Sequence, residues 1–90
     1  MELNYPSMRY LSGCEICDFL ILGDTRSAIH VLLSKTKDTS RFYDVIKISA
    51  RYELYRYGRT NGLIEFEQFH VAVCKINDAI LELVSICDFI

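Results

Sequence analysis

The sequence predicts an all-α domain, a compact four-helix bundle with two short N-terminal helices and a long antiparallel helical hairpin. Apolar residues recur at spacings of three and four along nearly the whole chain, which is the period of an amphipathic helix. The chain has 90 residues, 51% of them hydrophobic, with four Gly and one Pro. This length fits a single domain, residues 1–90 with a core about 9–87, and the composition excludes a disordered or collagen-like chain.

The first third of the chain predicts the two short helices. The first covers about Met8–Leu22, with core contacts expected from Leu11, Ile16, Phe19 and Leu20. Gly23 ends this helix, and Asp24 is placed to cap the next one. The second helix covers about Thr25–Ser34 and is expected to bury Ala28, Ile29, Leu32 and Leu33. A polar loop, Lys35–Thr39, follows it.

The third helix is predicted over about Arg41–Tyr57, with Ser40 or Thr39 capping its first turn. One row of its side chains consists of Val45, Ile48, Ser49, Tyr52 and Tyr55, and a second apolar row beside it of Phe42, Ile46, Ala50 and Leu54. The segment Tyr57–Gly62 ends the helix, because Gly and Asn accept the left-handed backbone conformation found at helix ends.

The fourth helix, about Glu65–Ile86, has the clearest apolar pattern in the chain. Its apolar face consists of Phe66, Phe69, Val73, Ile76, Ile80, Leu83 and Cys87, and is widened by Ala72, Ala79 and Ile86. Because the connection to the third helix is short, the two long helices are expected to form an antiparallel hairpin. We expect Ile76 to face Ile48 and Tyr52 and to be deeply buried.

Charge and hydropathy limit the classes of partner that we expect. The net charge is −2 and the isoelectric point is near 5.6, which disfavours a nucleic-acid partner, since those proteins carry clustered positive charge. The N-terminal residues lack the basic start and apolar run of a signal peptide, and no apolar stretch approaches a membrane span. We therefore expect a cytoplasmic protein that contacts no membrane and has reduced cysteines.

Cys14 and Cys17 form a CxxC pattern, which is the one local motif that suggests chemistry. A redox CxxC motif is typically preceded by a strand and followed by a helix, and no strand is predicted here. A structural zinc site requires four ligands. The nominal additional ligands are His30, His70, Cys74 and Cys87, which lack the spacing of a zinc motif. A small metal or redox sensor therefore stays the alternative hypothesis, and we expect no catalytic residue, no cofactor, no metal ligand and no enzymatic activity.

A cluster of tyrosines and arginines lies near the end of the third helix, and the fourth helix has a charged face. Such residues pack within proteins, bind protein partners or stack on single-stranded bases, and we favour them in that order here. The candidate protein-interaction residues are Arg51, Tyr55, Arg56, Arg59, Glu67, Lys75 and Asp78.

Several short motifs occur in a fixed order along the chain. Residues 23–28 read GDTRSA, residues 48–52 read ISARY, and residues 62–64 read GLI before the last helix. That helix then shows an aromatic residue and an apolar pattern at Phe69, Val73, Lys75, Ile76, Asn77, Ala79, Ile80, Leu81 and Leu83. Their order and spacing, from about Cys14 to Leu83, resemble the effector-associated domains, specifically the type numbered eleven.

The resemblance implies an adaptor rather than an enzyme. Domains of this kind lie at the ends of bacterial conflict and anti-phage proteins, beside NTPase, peptidase, caspase-like or TIR modules. They bring sensor and effector together by like-with-like association, in the manner of death-fold domains. The partner implied is a protein that carries a similar domain, or a second copy of this one. An inhibitory, immunity-type binding protein is a further alternative.

Overall fold

The computed structural model describes residues 14–87, and this part of the chain contains four α-helices and no strand. They are α1 (Glu15–Ile21), α2 (Thr25–Thr36), α3 (Phe42–Thr60) and α4 (Phe66–Ile86). Helix α2 packs against the other three helices, and α3 packs along α4. The predicted all-α architecture, with two short helices followed by a long hairpin, is confirmed.

The hydrophobic core lies where α2 meets the α3–α4 hairpin. The largest fully buried side chains are Ile16, Ile29, Leu32, Val45, Ile76, Ile80 and Thr36. Every helix contributes to the core; Ile48 of α3 belongs to the same buried cluster as Ile76 of α4, and Tyr52 packs against that cluster. The expected burial of Ile76 is confirmed, since none of its surface is exposed.

Helix α1 is shorter than predicted. Cys14 has extended backbone angles, φ −118° and ψ 107°, so a continuous helix from Met8 to Leu22 is wrong. Cys14 instead occupies the N-cap position, where its Sγ accepts a hydrogen bond from the Cys17 N–H at 3.4 Å. The preceding part of the predicted helix, with Leu11, lies outside the described residues.

The turn between α1 and α2 follows the predicted chemistry. Gly23 has a φ of +77°, and the backbone N–H groups of Gly23 and Asp24 donate to the carbonyl oxygens of Leu20 and Phe19. These two bonds form a Schellman motif, which satisfies carbonyl groups at the end of α1. The Asp24 carboxylate then accepts from the backbone N–H of Ser27 at 3.1 Å and caps α2.

Helix α2 extends two residues beyond the predicted end at Ser34. Thr36 is fully buried, and its hydroxyl donates to the Leu32 carbonyl oxygen at 2.8 Å. A buried threonine satisfied in this way is compatible with a helix interior. The loop start predicted from the polar residues is therefore two residues too early, because Lys35 and Thr36 belong to the helix.

Helix α3 is displaced from its predicted bounds at both ends. Arg41, rather than the predicted Ser40, occupies the N-cap position, and the Arg41 side chain makes no cap. The Thr39 hydroxyl does accept a backbone N–H at this end of the helix, as predicted, and the donor is Arg41 at 3.1 Å. The helix continues three residues past Tyr57, and Gly58 lies inside it.

A second Schellman motif closes α3. Gly62 has a φ of +72°, and the Leu63 N–H donates to the Gly58 carbonyl oxygen at 2.7 Å. Helix α4 then starts after the extended N-cap residue Glu65, whose N–H donates to Gln68 Oε1 at 2.9 Å. The end of α4 at Ile86 agrees with the prediction.

Part of the predicted apolar surface faces outward. In the second row of α3, Ile46, Ala50 and Leu54 are exposed, and in α4 Phe66 and Ile86 are exposed. For the α3 row the reason is geometric: α2 and α4 both pack on α3, and the buried apolar residues of α3 lie on the side opposite to this row, so the row is left uncovered by the described helices. An apolar residue on α3 therefore does not by itself indicate the core.

Candidate protein-interaction surface

Two grooves lie end to end along the seam between α3 and α4. The first, which we call the tip groove, has a volume of about 450 Å³ and is near the turn that joins the helices. Its lining residues are Tyr55, Ile64, Glu67, Gln68, Val71, Ala72 and Lys75. The mixture of an apolar floor and charged edges is the composition found at protein interfaces.

The second groove, the base groove, lies towards the other end of the hairpin. Its lining residues are Arg41, Asp44, Lys47, Ile48, Arg51, Ala79, Glu82, Leu83 and Ile86. Arg41 and Asp44 form an ion pair at 3.6 Å across one turn of α3, and both side chains are close to half exposed. This groove therefore presents more charge than the tip groove.

The structure brings together four of the seven candidate interaction residues in this seam. Tyr55, Glu67 and Lys75 line the tip groove, and Arg51 lines the base groove. Arg56 instead pairs with Glu53 at 3.2 Å. Arg59 lies over the Phe66 ring, with 5.6 Å between the guanidinium carbon and the ring centroid. Asp78 is exposed on α4.

The tyrosines near the end of α3 do not form one aromatic face. Tyr52 is half-buried against the core, Tyr55 lines the tip groove, and Tyr57 is exposed. Successive residues turn by about 100° around a helix, so neighbours in the sequence separate onto different faces. Burial raises the pKa of the Tyr52 hydroxyl, as expected for a side chain turned inward.

One ion-pair cluster was not predicted from the sequence. Glu53 contacts Arg26 of α2 at 3.3 Å and Arg56 of its own helix at 3.2 Å. The Glu53–Arg56 spacing of three was a usable signal, but the contact with Arg26 depends on how α2 packs. Because these side chains are about 40–50% exposed, their contribution to stability is small.

The CxxC pair has the environment of a structural element. Burial, followed by the hydrogen bond and the charge of Cys14, raises the pKa of the Cys17 thiol to about 11. A thiol with that pKa is protonated at neutral pH, whereas reactive redox cysteines have lowered pKa values. Cys14, Cys17, Cys74 and Cys87 are all free thiols in the described range.

The side chains considered for a metal site are dispersed. Over residues 14–87, no three His, Cys, Asp or Glu side chains are grouped closely enough to hold a metal ion. His70 and Cys74 do approach each other, with 3.8 Å between Nε2 and Sγ, but they lie together on one exposed face of α4. The geometry therefore gives the metal hypothesis no four-ligand set among these residues.

The helices are also too short or too polar to cross a bilayer, as judged over residues 14–87. Single charged residues interrupt the apolar pattern of α3 at short intervals, and α4 is amphipathic rather than uniformly apolar.

Comparison with known proteins identifies the family. The family model described as Effector-associated domain 11 matches residues 15–88, which is more than four-fifths of the chain. No curated protein and no solved structure matches the chain. The family match covers all four helices, both Schellman turns and the seam between α3 and α4. The chain belongs to the effector-associated domain 11 family.

Proposed function

We propose that this chain is a non-enzymatic adaptor domain, which binds a protein carrying a similar domain and thereby couples a sensor to an effector. Family membership supports this role, since it places the chain among effector-associated domains. The biological setting that we propose is bacterial conflict or anti-phage signalling. The effector module would be an NTPase, a peptidase, a caspase-like protein or a TIR domain, and neither nucleic acid nor membrane is the partner.

The apolar surface of the described helices carries the structural part of this proposal. Large apolar side chains are exposed along α3 and around the α3–α4 turn; they include Leu54, Leu63, Phe66, Tyr43 and Tyr57. Single exposed apolar residues are ordinary, whereas contiguous apolar patches indicate interaction sites. A domain of 90 residues with so many exposed large apolar side chains has a surface that a protein partner can bury.

The α3–α4 seam is the second feature that supports binding of a protein. Tyr55 and Val71 supply apolar contact area in the tip groove, and Glu67 and Lys75 supply charges of both signs at its edges. Aromatic residues bordered by polar groups are typical of interface hot spots. The seam is open rather than enclosed by helices, which suits a protein surface better than a small substrate.

The thiol chemistry supports an adaptor over the redox alternative. A sensor based on Cys14 and Cys17 needs a thiolate that forms readily near neutral pH. The Cys17 pKa of about 11 works against that chemistry. The Cys14 sulfur is also occupied as the cap of α1.

Size-exclusion chromatography with light scattering tests the proposal. The purified chain would be measured over a range of concentrations, alone and mixed with a second effector-associated domain encoded by a neighbouring gene. We expect a concentration-dependent increase in mass or a stable mixed complex. A chain that stays monomeric alone and in the mixture would contradict the adaptor function. Stoichiometric zinc in the purified protein would favour the metal-sensor alternative instead.

A further inference from the structure

Five residues form a continuous exposed row along α3, which we call the outer stripe. They are Tyr43, Ile46, Ala50, Leu54 and Tyr57. At about 100° per residue they all project within a narrow arc of the helix, opposite to the row that contains Val45, Ile48 and Tyr52. The four large side chains are between 41% and 72% exposed, so the stripe is outside the core along its whole length.

The outer stripe is symmetric about Ala50. Ile46 and Leu54 lie four residues to either side of Ala50, and Tyr43 and Tyr57 lie seven residues to either side. The order of side-chain types is therefore aromatic, aliphatic, small, aliphatic and aromatic in both directions. A surface with this pattern is complementary to its own inverted copy, which is the requirement for an isologous two-fold interface.

We propose that the outer stripe binds the outer stripe of a second copy of this chain, with the two α3 helices antiparallel and a two-fold axis beside Ala50. This inference rests on the like-with-like association in the proposed function and assigns its surface and geometry. Tyr43 then packs against Tyr57 of the second copy, and Ile46 packs against Leu54. Ala50 meets Ala50 at the crossing point, where a small side chain permits close approach of the helices.

The size of the patch agrees with a small dimer interface. A standard interface covers about 800 Å² on each partner, with an apolar centre and a polar rim. Each tyrosine covers about 150–250 Å² when fully buried, so two largely exposed tyrosines with Ile46 and Leu54 supply the centre. The rim consists of the polar residues on both edges of the stripe, among them Asp44, Lys47, Ser49, Arg51 and Glu53.

The charges at the rim make a specific prediction about salt. In an antiparallel two-fold pair, each edge of the stripe meets the same edge of the other copy. Lys47 and Arg51 share one edge, so the two copies bring basic side chains towards one another, and Asp44 and Glu82, which line the same groove, offset this only in part. Salt screens such repulsion between exposed charges, so we expect the dimer to become tighter as ionic strength rises.

Cysteine cross-linking tests the geometry in the 90-residue chain with exposed Cys74 replaced by Ser. Ala50→Cys is expected to form a symmetric disulfide-linked dimer under mild oxidation. Tyr43→Cys alone is expected to cross-link poorly, because residues 43 and 57 are about 21 Å apart along α3. Mixing Tyr43→Cys with Tyr57→Cys is expected to produce the mixed dimer. Efficient cross-linking of Tyr43→Cys with itself would overturn the antiparallel arrangement, and so would cross-linking of the Cys74→Ser parent to the same extent as Ala50→Cys.

A matched pair of leucine variants separates this inference from the proposed function. Leu54 in the stripe and Leu22 at the end of α1 are 68% and 77% exposed, so neither replacement by Lys disturbs the core. Light scattering is expected to show that Leu54→Lys weakens the dimer at least tenfold and that Leu22→Lys does not. If the wild type dimerises and Leu54→Lys dimerises equally well, the stripe assignment is wrong while the adaptor function stands. If the wild type is monomeric at every concentration and salt level, the self-docking inference is wrong. The adaptor function is then tested only by whether the chain binds a second effector-associated domain.

Discussion

The hydroxyl of Thr25 donates a hydrogen bond to Oδ1 of Asn77 at 2.8 Å, joining the first turn of α2 to the middle of α4. The two residues are 52 positions apart, and only 3% of the Thr25 surface is exposed. The bond fixes the height of α2 along the hairpin. Thr25 follows Asp24, the residue that caps α2. The start of this helix is therefore held both by a local cap and by a long-range hydrogen bond.

Replacement of Thr25 by Val preserves the shape of the side chain and removes its donor. We expect a loss of about 1 kcal/mol in the free energy of unfolding, because Asn77 Oδ1 loses a partner in a half-buried site. A double-mutant cycle with Asn77→Ala, measured by urea denaturation, should give a coupling of about 0.5–1.5 kcal/mol. Additive effects of the two substitutions would show that the hydrogen bond does not contribute to stability.

Ile76 tests the position of the core. Its side chain is fully buried between α4 and α3, so Ile76→Ala removes methylene groups and leaves a cavity. We expect a cost of about 2–5 kcal/mol, seen as a large fall in the melting temperature. Val71→Ala is the matched control on the same helix, because Val71 is exposed, and it should change stability by less than about 0.5 kcal/mol. Equal effects of the two substitutions would place the core elsewhere.

Two glycines in one turn are expected to respond to alanine in opposite ways. Gly58 is inside α3, and a Cβ there would lie 3.5 Å from Ile64, which is ordinary contact. Gly58→Ala should therefore stabilise the domain by about 0.5–1 kcal/mol, since Ala is the better helix former. Gly62 has a φ of +72°, so Gly62→Ala should destabilise it by about 1–2 kcal/mol.

Thermal unfolding of both glycine variants beside the wild type provides the measurement. The order of melting temperatures should be Gly58→Ala, wild type and then Gly62→Ala. A higher melting temperature for Gly62→Ala than for Gly58→Ala would mean that α3 does not end in the left-handed turn at residue 62.

Cys17 should be protected from thiol reagents. Its pKa is raised to about 11, above the ordinary value of 9.0, and burial is the largest cause. At neutral pH the exposed Cys74 should be alkylated first, with Cys17 the slower of the two by at least tenfold. Peptide mass spectrometry over time measures both rates. Faster labelling of Cys17 would restore the redox hypothesis.

The same shift makes stability depend on alkaline pH. A raised pKa in the folded state means that folding favours the protonated thiol, so this contribution is complete below pH 9.0 and is lost as pH rises towards about 11. Cys17→Ser removes the thiol, and its denaturation midpoint should therefore fall less than that of the wild type over this interval. Parallel pH profiles would contradict the assignment.

The elements governed by local chemistry could be predicted from the sequence. Asp24 caps α2 and Gly62 closes α3 because a side-chain acceptor and a left-handed turn depend on a few neighbouring residues. The long hairpin followed from the periodicity of α4 and from its short connection to α3. The predicted end of α2 was two residues too early, because the Thr36 hydroxyl is hydrogen-bonded within the helix and does not require a loop.

Features that depend on how the helices pack could not be predicted. Val45 and Ile46 are adjacent in α3 and both apolar, yet one is buried and the other lies in the outer stripe. The sequence pattern predicts two apolar rows on α3 but does not indicate which row α2 and α4 cover. The bond between Thr25 and Asn77 depends in the same way on the packing of distant segments. The grooves of the seam arise only once α3 and α4 are placed together.

We propose that this effector-associated domain acts by binding another domain of its kind through exposed helix surface. Nitrogen–proton correlation NMR spectra of the labelled chain, recorded from micromolar to millimolar concentration, test it most directly. We predict progressive shifts confined to backbone amides of the outer stripe and its rim, centred on Ala50, with the amides around Ile29 and Ile76 unchanged. Spectra that superimpose at every concentration, and that stay unchanged when a second effector-associated domain is added, would contradict the claim.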